Sequence, residues 1–458
     1  MFQKSTLENG MRVVTSEMLH TRSVSMCMFV GVGSRYETDE EAGLSHFLEH
    51  MVFKGTAKRP EPQQISAAIE GVGGVINAAT EHELTVYWCK VAQPYFEDSL
   101  ALLFDLFRNS LYEPDSIEKE RHVIFEELGM INDYPSYKVE ALIDEMLWPG
   151  HPLGRDIGGT RESVGGITRE MILDFVSAYY TPDNIVVSVA GNVSHEDVVA
   201  HVERLSEGWE VGGRNEWTPY LGSQSEAQSH VEYRKTEQAH LSVALPGVSL
   251  THPQRYALDL LSVALGEGMS SSPVRGGARE ARLAYDVHSE VSHFSDTGAI
   301  IVSAGVDPKR VYDAVQTILE QVAAMRDAVP EEELEKAKHL SGGRLMLRME
   351  DTRAVAIWMG QSEMLLGHIA DVDDVIEEVN AVTTDDVRSL ANDLLVTEKL
   401  NIAVVGPCRG HQRVRRHAGH ICLSAVMCCR AVRQAHEERV RHFFESRHSR
   451  EGGNPENL

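Results

Sequence analysis

The sequence predicts an α+β fold of two homologous domains, each an antiparallel sheet with helices packed on one face, facing each other across a cavity. Three observations lead to this class. The chain has 458 residues, of which 42% are hydrophobic and 24% charged, as in globular proteins with a sizeable core. Strand-like runs are followed by helical runs, which is typical of sheets covered on one face. The same order of elements occurs twice, so two copies of about 200 residues explain the length.

The first half of the chain contains the clearest predicted elements. Residues 23–30 place Val24, Met26, Met28 and Val30 on one face, which predicts a half-buried strand. The other elements follow from periodicity and from glycine or proline boundaries. In order they are helices at 43–54 and 63–70, strands at 75–79 and 84–91, helices at 95–107 and 115–130, a strand at 185–190 and a helix at 196–205.

The second half repeats this pattern. The segments from Leu84 and from Gly298 each run from a strand through a proline-containing turn to a helix, and the helices from Ser116 and Glu333 resemble each other in spacing. Between the halves lies a stretch rich in Gly, Ser, Asn and Pro, which is typical of a linker. We therefore predict an N-terminal domain at 1–211, a linker at 212–227 and a homologous C-terminal domain at 228–408.

Residues 409–458 differ in composition from the rest of the chain. They hold ten Arg, no Lys, six His and five acidic residues, a net charge of +5. One interpretation is a metal- or nucleic-acid-binding module that uses His411, His417, His420 and Cys422. The spacing matches no zinc pattern, however, and the run has no clear apolar period. We therefore predict a disordered extension that looks foreign to the chain.

Charge and composition exclude several function classes. The net charge of −26 repels nucleic acid phosphates and anionic lipid and favours neutral or basic partners. No window approaches the roughly 18 uninterrupted apolar residues of a membrane span, and the first residues show no targeting peptide. Of six cysteines only Cys27 and Cys89 lie in the first 400 residues, which is typical of a reducing compartment. We therefore expect a cytoplasmic location.

One segment, GLSHFLEHMVFKGT, carries residues suited to metal chemistry. His46, Glu49 and His50 stand at i, i+3 and i+4, so they share a helix face and both imidazoles can reach one ion. Two imidazole nitrogens suit zinc and leave room for a third ligand and water. Glu49 is too close to His50 along the chain to be a comfortable third ligand, but it is well placed to take a proton from water.

The alternative is a surface helix with two solvated histidines and a glutamate, because a five-residue pattern also occurs by chance. The residues around the pattern favour the metal site. An acidic loop precedes the helix, and an apolar flank would bury one side and hold the ligands rigid. The residues of this flank are Leu44, Phe47, Leu48 and Met51.

A third ligand has to come from elsewhere in the chain. Glu120 and Glu127, on the helix predicted at 115–130, are seven residues apart and therefore lie on the same face. One of them could bind the metal while the other orients a histidine N–H. On spacing alone, the alternative is a solvated acidic face paired with Lys119 and Arg121.

Together these motifs resemble a known family. HFLEHMVFKGT, followed by ERHVIFEE, resembles the inverzincin signature of the pitrilysin/insulinase metallopeptidases. In detail the chain resembles the mitochondrial-processing-peptidase-like branch and its short bacterial members. The similarity covers roughly residues 3–407 and includes GGVINAATEHELTVY, LGEGMSS, RLAYDVHS and MEDTRAVAIWMGQ. Residue by residue, it implies one zinc ion per chain bound by His46, His50 and Glu127, with Glu49 as general base and Glu120 as support for a ligand.

The resemblance also implies substrate-binding residues. Asn77 and Ala78 match the family's edge strand, which pairs with peptide backbones by strand addition. From the residues alone, a strand end beside a turn is the alternative. In the second half Tyr285 matches a family tyrosine that reaches the active site. The family's arginine seven residues earlier has no match, since Ala278 stands there within the Gly- and Pro-rich segment 272–282.

The two repeats differ where a metal would bind. When they are aligned, Glu120 falls opposite Ala337 and Glu127 falls opposite Arg344. Only the first half is therefore expected to bind zinc. The second is expected to be non-catalytic and to contact substrate.

The expected protein is a bacterial zinc metalloendopeptidase, a hydrolase that cleaves unfolded or extended peptides with metal-activated water and a glutamate base. The resemblance implies that it works as a homodimer or as a heterodimer with a related subunit. The alternative is a non-catalytic or inactivated partner subunit of a processing-peptidase-like complex, because the family also contains such members.

Overall fold

The structure of the chain, a computed structural model, describes residues 2–212, 216–222, 224–267, 284–327 and 329–408. The predicted extension at 409–458 and the segment at 272–282 lie outside these residues, and so does the side chain of Tyr285. Among the described residues, no helix is both long enough and apolar enough to cross a membrane.

Six strands of the first half form one sheet. They are Phe2–Thr6 (β1), Arg12–Glu17 (β2), Ser23–Val30 (β3), Val75–Thr80 (β4), Thr85–Ala92 (β5) and Ile185–Gly191 (β6). Their order in the sheet is β1-β2-β6-β3-β5-β4. All neighbours are antiparallel except β2 and β6, which run parallel. The strand β4 therefore lies at an edge.

Five strands of the second half form another sheet. They are Gln228–Tyr233 (β7), Ala239–Pro246 (β8), Ala284–His293 (β9), Gly298–Val306 (β10) and Asn401–Gly406 (β11). Their order, β7-β11-β8-β10-β9, repeats that of the first sheet from β2 to β4, including one parallel pair, β7 and β11. The α+β class with two homologous domains is thus confirmed. Apart from the two parallel pairs, the sheets are antiparallel as predicted.

Helices of both halves pack on these sheets or on one another. In the first half they are Leu44–Met51 (α1), Pro62–Glu70 (α2), Phe96–Asn109 (α3), Pro114–Asp133 (α4), Pro135–Leu147 (α5), Arg161–Gly166 (α6), Arg169–Tyr179 (α7) and His195–Ser206 (α8). In the second half the described helices are Arg255–Ser262 (α9), Val311–Asp327 (α10), Glu331–Arg348 (α11), Thr352–Leu366 (α12), Val372–Ala381 (α13) and Thr384–Leu394 (α14).

Each sheet also has a helix of the other half on its second face. Helix α12 of the second half packs on β2, β3 and β6 through Val355 and Met359. Helix α5 of the first half packs on β8 and β11 through Leu142 and Ile143. The two halves are therefore in direct contact. The prediction of a half-buried strand at β3 is wrong for the same reason, since Phe29, on its second face, is buried beneath α12.

Ion pairs hold both ends of α12 on the first sheet. Asp351, the residue before the helix, lies 2.6 Å from Nζ of Lys90. Near the other end, the carboxylate of Glu363 is buried and lies 2.7 Å from Nζ of Lys4. A buried carboxylate needs such a partner because burial penalises its charged form.

Candidate metal centre

Helix α1 has a buried face and a face that carries the chemistry. Its apolar flank is fully buried in the core of the first half, as the sequence predicts, and consists of Leu44, Phe47, Leu48 and Met51. His46, Glu49 and His50 lie on the other face and are partly exposed. Close packing of the apolar flank restricts how far the three polar side chains can move.

Helix α4 brings Glu127 to the histidine pair. Its Oε2 atom lies 3.9 Å from Nε2 of His46 and 3.6 Å from Nε2 of His50. The planes of the two imidazole rings are inclined at 66° to each other, and their centroids are 4.7 Å apart. Zinc bonds of about 2.0–2.2 Å in a tetrahedron separate the ligand atoms by about 3.3–3.6 Å. The two measured separations are close to this range and all three donor atoms lie within 4.8 Å of one another, so the three residues could hold a zinc ion after small movements.

Glu120 contacts the opposite side of the His50 ring. Its Oε2 lies 3.2 Å from Nδ1 of His50, and its Oε1 lies 2.8 Å from Nζ of Lys54. An N–H at Nδ1 that donates to this carboxylate leaves a lone pair on Nε2, the atom that faces Glu127. Burial works to lower the pKa of His50, but the hydrogen bond with Glu120 and the charges of Glu127 and Glu49 outweigh it and raise the pKa.

The His46 ring is neutral near pH 7. Burial, together with the neighbouring His50, lowers the pKa of His46 to about 4. Its Nδ1 atom is buried and has no hydrogen-bond partner among the described residues. A neutral imidazole is the form that binds metal ions, so His46 could bind a cation at Nε2 without losing a proton first.

Glu49 lies on the same face of α1 as the histidines and is held by Thr80 from β4. The hydroxyl Oγ1 of Thr80 donates a hydrogen bond of 2.6 Å to Oε2 of Glu49. Burial raises the pKa of Glu49 despite this bond and the opposing effect of His50. Sequence reasoning missed Thr80. The signal was its position two residues after Ala78, which puts both side chains on one face of the strand.

Strand β4 offers an open edge next to α1. It pairs with β5 and with no other strand among the described residues. Asn77 and Ala78 both lie in β4, and Oδ1 of the exposed Asn77 accepts a hydrogen bond of 2.8 Å from the N–H of Ala78. Backbone groups on the outer side of an edge strand can pair with an added chain.

The second half has no counterpart of this donor cluster in the part of the chain that the structure describes. Ala337 and Arg344 lie on α11, which corresponds to α4. The histidine pair and its glutamate are the single group of three or more potential metal ligands among the described residues. Tyr285 lies in β9, and the structure describes only its backbone.

Sequence reasoning also missed a set of carboxylates where the halves meet. Burial raises the pKa of Asp144 to about 7, and the nearby charges of Glu290, Glu140 and Asp156 contribute in the same direction. Glu140 and Asp144 belong to α5, whereas Glu290 belongs to β9. Such carboxylates disfavour each other's ionisation, so a positively charged partner nearby would stabilise their charged forms. No local pattern could have predicted this set, because its members come from both halves.

Two α+β domains of one topology, with a histidine pair and a glutamate converging in the first, are typical of the class of zinc-dependent proteases. The family comparison agrees with this class. Residues 12–161 match the family model described as Insulinase (Peptidase family M16), and residues 166–341 match the one described as Peptidase M16 inactive domain. The chain belongs to peptidase family M16, the insulinase family, which confirms the resemblance drawn from the motifs.

Relatives with similar sequences carry names of the same kind. An uncharacterized zinc protease of Bacillus subtilis (strain 168) is 34% identical over 408 residues, which cover 89% of this chain and 98% of the relative. An uncharacterized zinc protease of Mycobacterium leprae (strain TN) is 36% identical over 410 residues, which cover 88% and 91%. The similarity thus extends over both halves.

Solved structures show the same fold. The crystal structure of a protease from Helicobacter pylori matches with a TM-score of 0.83 and 22% identity, over 89% of this chain and 99% of the other. A peptidase M16 inactive domain from Pseudomonas fluorescens matches with a TM-score of 0.80 and 18% identity, over 89% and 98%. At these identities the likeness concerns the fold alone.

Proposed function

We propose that this chain is a zinc-dependent endopeptidase that hydrolyses peptide bonds in unfolded or extended peptides. One zinc ion per chain would be held by His46, His50 and Glu127. The observation that carries the proposal is the approach of Glu127 Oε2 to both Nε2 atoms, at 3.9 and 3.6 Å, with Glu49 on the same face of α1. Relatives named as zinc proteases support it.

In the proposed reaction Glu49 moves the proton. A zinc ion, when bound, polarises the carbonyl group of the scissile bond and brings the pKa of water toward about 7. Glu49 takes a proton from the attacking water and delivers it to the amine of the departing peptide. Its raised pKa suits both transfers. Since Thr80 occupies Oε2 at 2.6 Å, we assign proton transfer to Oε1.

The substrate backbone would add to the edge of β4. Strand addition uses main-chain hydrogen bonds, so it selects extended peptides and makes weak demands on their sequence. Asn77 at present occupies the N–H of Ala78. We infer that its side chain releases this N–H when a peptide binds. Folded proteins would be poor substrates because their strands are already paired.

Charge supports basic or neutral peptides as substrates. Without the extension at 409–458, which contributes +5, the chain carries a net charge of −31. Glu140, Asp156 and Glu290, whose charges act on Asp144, place further carboxylates where α5 comes near β9. A cleft lined by one sign of charge attracts ligands of the opposite sign.

We also propose that the working unit is a dimer, either of two copies of this chain or with a related subunit. Support comes from apolar side chains that are exposed on α4 and α11 and that a second chain could cover. They are Val123, Met130, Met346 and Leu347. Large apolar groups exposed on corresponding helices of the two halves are typical of a surface that a second chain covers.

Replacing Glu120 by glutamine is expected to lower zinc affinity by about 10–100-fold, the usual effect of losing a partner behind a ligand. The amide keeps the shape of the side chain but loses the charge that holds Nδ1 of His50 at 3.2 Å. Competition with a chromophoric chelator measures the change. The control is Glu118→Gln, an exposed residue of the same helix that pairs with Arg121. Equal zinc affinity in both variants would contradict the role of Glu120.

Incubating the purified chain with a library of unstructured peptides tests the proposed function. Mass spectrometry should reveal internal cleavage sites. Cleavage should stop after treatment with a chelator and return when about one equivalent of zinc per chain is added. Cleavage that persists in the metal-free chain would refute a zinc-dependent reaction.

The second candidate is a non-catalytic or inactivated partner subunit. The match of residues 166–341 to the model of an inactive domain favours it. Such a subunit would bind peptides without cleaving them, alone or with zinc. Zinc in the purified chain without turnover on any peptide would support this candidate over the endopeptidase.

A further inference from the structure

Glu37 is a buried carboxylate that the proposed reaction does not use, and it contacts the beginning of α1. Its exposed fraction is 3%. Oε2 accepts a hydrogen bond of 2.8 Å from the N–H of Gly43, and Oε1 accepts one of 2.7 Å from the N–H of Ser45. Gly43 directly precedes the helix that carries the histidine pair and Glu49, and Ser45 lies in its first turn.

The start of α1 needs such an acceptor. An α-helix leaves its first N–H groups without partners, and a Ser, Thr, Asp or Asn just before the helix usually accepts from one of them. Here that position is Gly43, with φ at 92°, where a Cβ would lie 2.5 Å from the carbonyl oxygen of Gly158. The neighbouring backbone thus excludes a capping side chain, and Glu37, six residues earlier, takes its place.

The segment that carries Glu37 also contacts the second element that holds Glu49. The N–H groups of Ser34 and Arg35 donate hydrogen bonds of 3.2 and 2.9 Å to carbonyl groups of the turn between β4 and β5. This turn directly follows Thr80, whose hydroxyl donates to Glu49. One short segment therefore holds both α1 and the end of β4.

A guanidinium fixes this segment from outside. Arg155 donates hydrogen bonds of 2.6 Å to the carbonyl oxygen of Glu37 and of 2.6 Å to Asp39. Burial raises the pKa of Glu37 to about 7, although the hydrogen bonds from Ser45 and Gly43 and the charge of Arg155 act against the rise. Burying a carboxylate is unfavourable, so packing alone would be served better by an apolar side chain.

We propose that Glu37 is a positioning residue for the metal centre. By holding the first turn of α1 it sets the direction of the helix, and through the helix the distance of His46 and His50 from Glu127. The consequence for zinc rests on the proposed function. The consequence for the order of α1 does not.

The test is Glu37→Gln in the full chain, measured for zinc affinity and for hydrogen exchange. An amide presents an NH₂ group to one of the two backbone donors, so one hydrogen bond is lost and the negative charge with it. We expect a fall in zinc affinity within the 10–100-fold range of other groups that orient metal ligands. Backbone exchange in a peptide that spans α1 should become faster at a temperature well below unfolding.

The matched control is Glu363→Gln, which also removes a buried charge. Glu363 lies on α12, on the opposite face of the first sheet, and pairs with Lys4 at 2.7 Å. This variant should lose global stability while zinc affinity and exchange in α1 remain at the wild-type values. Wild-type values of both quantities in Glu37→Gln would overturn the proposal, and so would an equal loss of zinc affinity in the control.

A second variant, Glu37→Asp, tests the proposal if Glu37→Gln fails to fold. Glu37→Asp keeps the charge beside Arg155 but is too short to reach both N–H groups, so it should show the same changes in the same direction. If the wild-type chain bound no zinc, the proposed function would fail. Exchange in α1 of the metal-free protein would still decide the role of Glu37.

Discussion

Glu49→Gln is expected to keep the zinc affinity of the wild-type chain and to lose at least about a hundredfold in kcat, given the 10²–10⁴-fold contribution of general acid–base catalysis. Glutamine has nearly the same shape, so the hydroxyl of Thr80, 2.6 Å from Oε2, keeps a partner. The amide cannot accept a proton from water or deliver one to the departing amine. Single-turnover cleavage of a peptide identified in the library measures the loss.

The control for this variant is Glu126→Gln. Glu126 is exposed on α4, next to Glu127 in the sequence. Its replacement by glutamine removes one negative charge near the site but changes no group that the proposed reaction uses. It should cleave at the wild-type rate. Turnover in Glu49→Gln close to that of Glu126→Gln would refute the assignment of the general base.

His50→Ala is expected to abolish stoichiometric zinc binding. The imidazole connects both glutamates of α4, with Nε2 at 3.6 Å from Glu127 and Nδ1 at 3.2 Å from Glu120. Its removal leaves two donors, fewer than zinc sites use, and deprives Glu120 of a partner. The loss of zinc affinity should exceed the roughly 10–100-fold expected when a residue that contacts a metal ligand, such as Glu120, is replaced. Metal analysis after dialysis against a buffered zinc solution measures it.

His122→Ala is the matched control, since it also removes an imidazole near the site. His122 is exposed on α4 and its Nδ1 lies 2.7 Å from the carbonyl oxygen of Glu118. This variant should keep one zinc ion per chain. If both variants lost zinc equally, or neither did, the ion would not be bound by the histidine pair of α1.

The sequence predicts those parts of the fold that have a local signal. The strand at 23–30 has the predicted bounds, and the helix predicted at 95–107 is observed as Phe96–Asn109. Alternation and helical periodicity reflect contacts between near neighbours in the chain, so they can be recognised without the fold. The repeated order of strands and helices in the two halves can be recognised for the same reason, since it consists of such local patterns.

The contacts between the halves could not be predicted in this way. Helix α5 was missed, and nothing in the sequence of α12 indicates that it covers the sheet of the other half. An amphipathic pattern states that a face is buried, but not which partner buries it. The second face of β3 is buried because α12 of the other half covers it.

For the metal centre, the sequence predicts the relative placement of residues on one helix better than that of residues on different elements. The spacing of His46 and His50 follows from helix geometry. Spacing left open which glutamate of α4 faces the rings, and the structure places Glu127 near Nε2 of both and Glu120 at Nδ1 of His50. Thr80 required knowledge of which strand packs against α1. The zinc-binding roles of these residues stay predictions.

Zinc K-edge X-ray absorption spectroscopy on the full chain, loaded with one equivalent of zinc, tests the metal centre most directly. The result we predict is two imidazole nitrogens and otherwise oxygen at about 2.0–2.2 Å. A sulfur shell at about 2.3 Å would place the ion on a thiol, such as Cys422 of the extension, and would contradict a metal centre formed by α1 and α4.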